Sequence, residues 1–412
     1  MRLLFLSNFY PPISRGGYEQ WCQEVVDGLR DRGHQVIVLT SRHKNGDQTI
    51  LDHAWVHRKF FLEMAIDSPW NGLIFFTTRR RCEDTNLHEL QRTIDSYKPD
   101  AILVWGMWNL SRKIPALAEQ LLPGKVAYYF GDYWLFLPGQ METYWNLPGR
   151  SWITTLPKVV LKSFALRLLV REDKPKLMVE NAIFPSNYLR DEYISKGMIN
   201  KNISVIYGAA DTRIFIPPDK PNDNRNDVTN LLYVGRLTQY KGVHTCIQAL
   251  TILTEEFNDR NINLLIVGSG ERDYEFYLRS LAQEKHVENR VFFLGSKSKS
   301  ELPKIYHTAD IFLFPSIWAE PFGRVLVEAM ASGLPVVGTA VGGAAEILRD
   351  GENALLFMPG NPEAMAAQIS RLIRSPELRK HMIEAGRITA DKFDIQRMVG
   401  EIEVYLKRLV DQ

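Results

Sequence analysis

Glu320 and Glu328 bracket the run Glu320-Pro321-Phe322-Gly323-Arg324-Val325-Leu326-Val327-Glu328, two carboxylates with seven residues between them. The apolar segment Ile311–Phe314 precedes them and reads as a buried parallel strand. Pro321 suits the first position of a helix, and Ser332-Gly333 suits its end. The spacing predicts Glu320 in a loop at a strand's carboxyl end and Glu328 about one or two turns into the next helix. Ligands of open α/β sheets bind at that edge. Two acids there can receive a ligand's hydroxyl groups, or can do no more than complement the helix dipole.

A second group of residues suits phosphate. The predicted strand Leu231–Val234 runs into Gly235-Arg236-Leu237-Thr238-Gln239-Tyr240-Lys241-Gly242. An Arg fork and a Lys point charge flanking such a loop would hold a diphosphate, although basic residues are also common in solvated loops. Gly268-Ser269-Gly270 follows the next predicted strand, and Gly295 follows the third. A lone Gly-x-Gly is usually only a turn, but it permits backbone approach to phosphate. All these segments fall at one edge of one predicted sheet, with Glu320 and a helix N-terminus expected near Phe322. That helix end attracts anions. A nucleoside diphosphate fits the set, with an acid left for the ribose hydroxyls.

The elements that would position these residues follow from length and pattern. A chain of 412 residues is too long for one core, so two domains are expected. Hydrophobic residues make up 45% and charged residues 24%, which suits a globular protein, and a net charge of +2 argues against nucleic-acid binding. Cys22, Cys82 and Cys246 have no paired spacing, which argues against a disulfide framework or a zinc site and suits a reducing cytosol. The apolar run at Leu3–Leu6 is too short for a signal peptide, and no run reaches the length of a membrane span. The expected location is therefore cytoplasmic.

Strand and helix signals alternate through the first half. Strands are predicted at Leu3–Ser7, Val36–Thr40, Ala101–Trp105, Val126–Phe130 and Ile203–Tyr207, with helices over Glu19–Arg30 and Leu87–Tyr97. The polar stretch Pro217–Asn230 reads as a loop near a domain junction. The second half predicts strands at Leu231–Val234, Asn263–Val267, Val291–Leu294, Ile311–Phe314, Pro335–Gly338 and Ala354–Phe357, a six-strand doubly wound unit. A last helix, Ile395–Leu409, has no strand after it. Two Rossmann-like α/β domains would leave a cleft between them, a usual place for an enzyme site.

Together, Arg236, Lys241, the Glu-Pro-Phe-Gly-x4-Glu segment and Ala329–Gly343 resemble the group-1 (family GT4) retaining glycosyltransferases of GT-B fold. Ser186 with Tyr207-Gly208-Ala209-Ala210-Asp211 is similar to that family's crossover between domains. Pro11-Pro12 through Gly16-Gly17-Tyr18-Glu19, then Arg32-Gly33-His34-Gln35-Val36, is similar to its N-terminal signature. The likeness runs from about residue 1 to about residue 390 and is weaker from about 44 to 200. It implies an acceptor-side domain over 1–210, a nucleotide-sugar domain over 211–390, and a C-terminal helix over 391–412 packing back on the first domain.

Residue by residue, the resemblance places Glu320 beside the donor sugar, where it would stabilise cationic character in the transition state. Glu328 would bind ribose hydroxyls. Backbone groups of Phe322, Gly323, Arg324 and Val325 would meet the diphosphate. Gly268 and Gly295 would border the nucleotide, and Gly16-Gly17 would let the first loop approach phosphates or acceptor. Arg236 and Lys241 would neutralise the departing nucleoside diphosphate. The chain has no Asp-x-Asp triplet, so the expectation is no metal and no cofactor beyond the nucleotide-sugar co-substrate, UDP- or GDP-linked. The implied reaction moves a sugar to a hydroxyl of a glycan or lipid-linked acceptor with the anomeric configuration kept.

Departures from the family pattern lie in the first domain. Many relatives carry a His after the strand ending near Phe130; this chain has Gly131-Asp132-Tyr133-Trp134. Asp132 is then a candidate for acceptor contact or proton handling, or a turn acid only. Tyr207 stands where Asn is usual. The segment from Trp105 to Trp152 is rich in Trp and Tyr, which stack on sugars or fill cores. Gly139–Pro157 reads as an acceptor-side loop, and the basic, apolar stretch 150–176 as either a solvated surface or a contact with an anionic membrane. Two rival readings remain: a nucleotide-sugar 2-epimerase of the same fold, and a silent nucleotide-sugar-binding subunit.

Overall fold

The structure is a computed structural model that describes residues 1–14, 16–43, 53–66, 68, 70–149, 152–172, 175–198, 201–218, 228–255 and 261–411. Most of the Pro217–Asn230 stretch lies outside them. The chain divides into two compact units. The first holds Met1–Phe184, Glu192–Ile206 and Val399–Gln412; the second holds Pro185–Asp191 and Tyr207–Met398.

Unit 1 is built on a parallel sheet of seven strands: β1 (Arg2–Leu6), β2 (Gln35–Ser41), β3 (Val56–Phe60), β4 (Ala101–Val104), β5 (Val126–Tyr129), β6 (Asn181–Phe184) and β7 (Asn202–Val205). Their order is β3-β2-β1-β4-β5-β6-β7. Strands β4, β5 and β6 are buried at every residue, as both faces of a parallel sheet must be. Sequence patterning missed β3 and β6. Val-His-Arg-Lys-Phe in β3 is an edge strand with polar residues between apolar ends, and β6 is only four residues long. The direction of winding reverses between β1 and β4, so the loops after these two strands diverge there.

The predicted loop Gly139–Pro157 needs correction. Gln140–Asn146 is a helix, because Met141 and Trp145 bury one face against Phe75. A second helix, Trp152–Arg171, follows it. The terminal helix Ile395–Asp411 gives its last turns to unit 1. There Glu403 accepts from Arg32 Nη1 at 2.8 Å and lies 3.1 Å from His34 Nε2, and Val399 packs on Gly28 so closely that a Cβ would meet it at 2.8 Å.

Unit 2 carries six parallel strands: β8 (Thr229–Val234), β9 (Ile262–Val267), β10 (Val291–Gly295), β11 (Ile311–Phe314), β12 (Val336–Gly338) and β13 (Ala354–Leu356). The order β10-β9-β8-β11-β12-β13 reverses direction between β8 and β11. The loops after β8 and β11 are those that hold Arg236, Lys241 and Glu320. The six predicted strands all exist, each with bounds within two residues of the predicted ones.

Candidate functional site

The site of unit 2 starts with how two loops lock together. Gly242 ends the β8 loop with φ +71°, a left-handed conformation that favours glycine. A Cβ there would stand 2.0 Å from Pro315 O, so only glycine lets the β8 loop lie against the β11 loop. The amides of Ile317 and Trp318 then donate to Tyr240 O at 2.9 and 3.2 Å. This contact brings Lys241 to Glu320: Nζ donates to Oε1 at 2.5 Å. Ser316 Oγ donates to the same oxygen at 2.7 Å. Glu320 is buried, and its carbonyl accepts from the Gly343 amide at 2.6 Å, which pins the loop to the segment after β12. A carboxylate held by an ammonium at a sheet's carboxyl edge can take hydroxyl hydrogen bonds and face a cationic sugar ring.

Arg236 does not join this pair. It is exposed, and its Nη2 donates to Tyr240 OH at 3.0 Å. The glycines border the same edge. Gly268, at φ +135°, would drive a Cβ to 1.9 Å from Gly235 O, and its amide donates to Gly295 O at 2.9 Å.

The helix carrying the second carboxylate starts later than predicted. It spans Arg324–Ala331, and Gly323 precedes it at φ +117°, outside helical geometry. Pro321 therefore does not open the helix. Phe322 is buried against Phe393 and anchors the turn instead. Val325 and Arg324 form the first turn, whose amides lack intrahelical acceptors. Arg324 turns inward: its Nε donates to Glu328 Oε1 at 2.8 Å, one turn on. Tyr306 OH donates to Glu328 Oε2 at 3.1 Å. Burial, and then the Glu328 charge, push the Tyr306 phenol well above its ordinary range, so it stays a donor. Glu320 and Glu328 thus have separate partners.

The Glu320 loop has a third support that residue spacing did not reveal. Ser186 Oγ donates to Pro321 O at 2.6 Å. Glu346 accepts from the Asn187 and Tyr188 amides at 3.1 and 2.7 Å and from Tyr207 OH at 2.9 Å. Tyr207, the departure from the usual Asn, is part of this clamp. Glu346 carries no signal in sequence: it is one acid after a Gly-Gly turn.

In unit 1, Gly16 precedes the helix Gly17–Asp31, and a Cβ at Gly16 would meet no protein atom within 4 Å. Its own packing does not require glycine there. Tyr18, on that helix, explains Gly131. A Cβ at Gly131 would lie 2.3 Å from the Tyr18 ring, and Tyr18 OH donates to the carbonyls of Trp105 and Tyr129. The tyrosine occupies the space a side chain at 131 would need. Trp105 stacks on Tyr129 with centroids 4.3 Å apart, so these aromatics belong to the core.

Asp132 lies beside this cluster. Its Oδ1 accepts from the Trp134 amide at 3.2 Å, the geometry of a turn acid. Burial, with help from the Glu19 charge, raises its carboxyl to about 7. The unfolded carboxyl ionises near 3.8, so between those two values the native state binds more protons. The stability that Asp132 contributes is full below about pH 4 and is lost as pH rises to about 7. Asp132→Asn is expected to match wild type near pH 4 and to exceed it near pH 8, by a few °C in unfolding midpoint. Thermal unfolding of both proteins across that range checks this, and parallel pH profiles would refute it.

Near Asp132 a cavity of about 400 Å³ opens in unit 1, lined by Glu63, Trp108, Arg112 and Trp134 among others. Glu63 is held above its ordinary carboxyl range, first by burial and then by the Glu83 charge. Sequence reading singled out Trp108 and Trp134 but not Glu63 or Arg112. Among the described residues, no group of three or more His, Cys, Asp or Glu could hold a metal ion.

Two parallel α/β units, the second with Lys241, Glu320 and Gly268 at its carboxyl edge, fit the GT-B fold class, and comparison with known proteins agrees. "Glycosyl transferases group 1" matches residues 218–389, and "Glycosyltransferase Family 4" matches residues 15–214. The chain belongs to the group-1, family-4 glycosyltransferases. It is 34% identical over 192 residues to the D-inositol 3-phosphate glycosyltransferase of Corynebacterium glutamicum, covering 44% of this chain and 46% of that one. It is 30% identical over 211 residues to the N-acetyl-alpha-D-glucosaminyl L-malate synthase of Bacillus anthracis, covering 50% and 53%. The match spans about half the length of these curated relatives. Two similar solved structures are the sucrose-phosphate synthase of Thermosynechococcus elongatus (TM-score 0.73, 19% identity, 99% and 98% covered) and Anabaena HepE in complex with UDP and glucose (TM-score 0.71, 22% identity, 99% of each chain). At these identities the structures speak for the fold.

Proposed function

We propose that this chain is a retaining glycosyltransferase that moves a sugar from a nucleoside-diphosphate sugar to a hydroxyl of a glycan or lipid-linked acceptor. The observation that carries this reading is the Lys241–Glu320–Ser316 cluster at the switch point between β8 and β11. Glu320 faces the anomeric centre as the glycosidic bond loosens. Lys241 and Arg236 take up charge on the leaving diphosphate. Glu328 holds the ribose. The complexes of HepE with UDP and UDP-glucose support a uridine donor, with a guanosine donor as the alternative.

Tyr18 leaves no room for a base at position 131. With the configuration kept, the acceptor hydroxyl attacks from the face of the departing phosphate: its oxygen bonds to the anomeric carbon, the carbon–phosphate-oxygen bond breaks, and the proton passes to that phosphate oxygen. Unit 1 would bind the acceptor, and its cavity offers the Glu63 carboxyl and the Trp134 ring to acceptor hydroxyls. A thermal-shift screen of UDP- and GDP-sugars tests the donor, because a bound donor raises the unfolding midpoint by mass action. Transfer is expected to run undiminished in EDTA. Loss of transfer in EDTA, restored by Mg²⁺ or Mn²⁺, would overturn the metal-free reading.

A further inference from the structure

The helix Trp152–Arg171 presents the wrong face to water. Leu156, Val159, Val160 and Phe164 are 64%, 63%, 76% and 56% exposed, and their spacing puts them on one stripe. Its opposite side is also apolar: Ala165 is buried with Phe75, Met141 and Trp145. A surface helix of a globular protein would carry charge on the outer side. The stripe continues across a neighbouring helix, Asn71–Thr77, because Phe76 stacks on Phe164 with centroids 6.0 Å apart. Leu73 and Trp70 extend it, at 58% and 66% exposure. The result is one exposed apolar patch with a Trp at its end, larger than scattered surface residues produce.

Charge selects the occupant. The helix Trp152–Arg171 holds four cations and no acid. Lys158 is buried over the Tyr144 ring, which leaves Lys162, Arg167 and Arg171 beside the stripe. At the start of the next helix, Arg79–Tyr97, Arg79 and Arg80 both pair with Glu172, which neutralises the acid that follows the stripe's helix and leaves Arg167 and Arg171 as its exposed charges. A second copy of this chain docking through the same patch would set like charges against each other. An anionic bilayer surface complements both features: headgroups meet the cations, and Trp70, Phe164 and Val160 enter the boundary with the acyl chains. Among the described residues no helix is long and apolar enough to cross a membrane, so the chain would lie on the surface.

We propose that this two-helix face docks unit 1 on an anionic lipid surface. The proposal is independent of the transferase reading, and either stands if the other fails. The test is co-sedimentation of the full chain with phosphatidylglycerol/phosphatidylcholine vesicles and with phosphatidylcholine vesicles alone. The chain is expected to pellet with the anionic vesicles at about 0.1 M salt and to release as salt rises. Val160→Asp/Phe164→Asp and Arg167→Glu/Arg171→Glu should each lower binding roughly tenfold or more, with the fold kept because all four residues are exposed, and Phe164→Asp giving up its ring contact with Phe76. No binding of wild type to the anionic vesicles overturns the proposal, as does wild-type binding by both double variants. A dimer in solution that Val160→Asp/Phe164→Asp dissociates would assign the face to a second copy and overturn it too.

Discussion

Glu320→Ala is expected to lower turnover roughly 10²–10³-fold while leaving nucleoside-diphosphate affinity near wild type or tighter. The reason is the partner it leaves behind. Glu320 holds the Lys241 ammonium at 2.5 Å in a buried setting, and its loss frees that cation for the diphosphate. The transition state loses an anion beside the sugar, but the ground-state nucleotide loses nothing it needs. Lys241→Ala works the other way. It strands a buried carboxylate beside the place proposed for the diphosphate, so both turnover and nucleotide affinity should fall. The double variant should recover part of the affinity that Lys241→Ala loses, because the repelling carboxylate is gone as well. Turnover with a found donor, and nucleotide affinity by calorimetry, separate these outcomes. A Glu320→Ala enzyme with wild-type turnover would remove this carboxylate from the mechanism.

Much of unit 2 was legible because its signals are local. Apolar strands such as Ile311–Phe314 announce themselves as runs, and the residues after them land on one sheet edge by topology alone. Membership in the family followed from residues spread over both units. What stayed hidden depends on contacts between distant segments. Gly323 breaks the helix that Pro321 would begin, but only the left-handed turn and the burial of Phe322 show it. Ser186 reaches the Glu320 loop from a distant part of the chain, Glu346 holds the segment beside Ser186 from another, and neither has a spacing that says so. In unit 1, Gly131 read as a missing histidine. The tyrosine that fills its place comes from position 18, more than a hundred residues away. The stretch after Gly139 read as a loop because its turn residues are frequent; its helix exists through Trp145 and Met141, whose partner Phe75 lies far back in the chain.

Arg324→Ala should be among the most destabilising single changes in unit 2, costing roughly 3–5 kcal/mol. Its guanidinium is the cation bonded to Glu328, and both side chains are almost fully buried. Removing it strands a carboxylate away from water, with only the Tyr306 hydroxyl left on its other oxygen. Glu328→Ala takes the carboxylate from Arg324 and Tyr306 and also weakens nucleotide binding, by roughly 1–3 kcal/mol for lost hydrogen bonds to ribose. Stability and binding are separable here. Replacing these three with apolar side chains of similar size, Arg324→Met with Glu328→Met and Tyr306→Phe, removes the buried ion pair and its hydroxyl together, so stability should recover most of what Arg324→Ala loses. Nucleotide binding should not return, because Met cannot receive the ribose hydroxyls. Chemical unfolding and nucleotide calorimetry on the single, double and triple variants measure the two effects apart. If the triple variant is stable and binds nucleotide like wild type, Glu328 serves the fold alone, and the ribose must be held by another group at this edge.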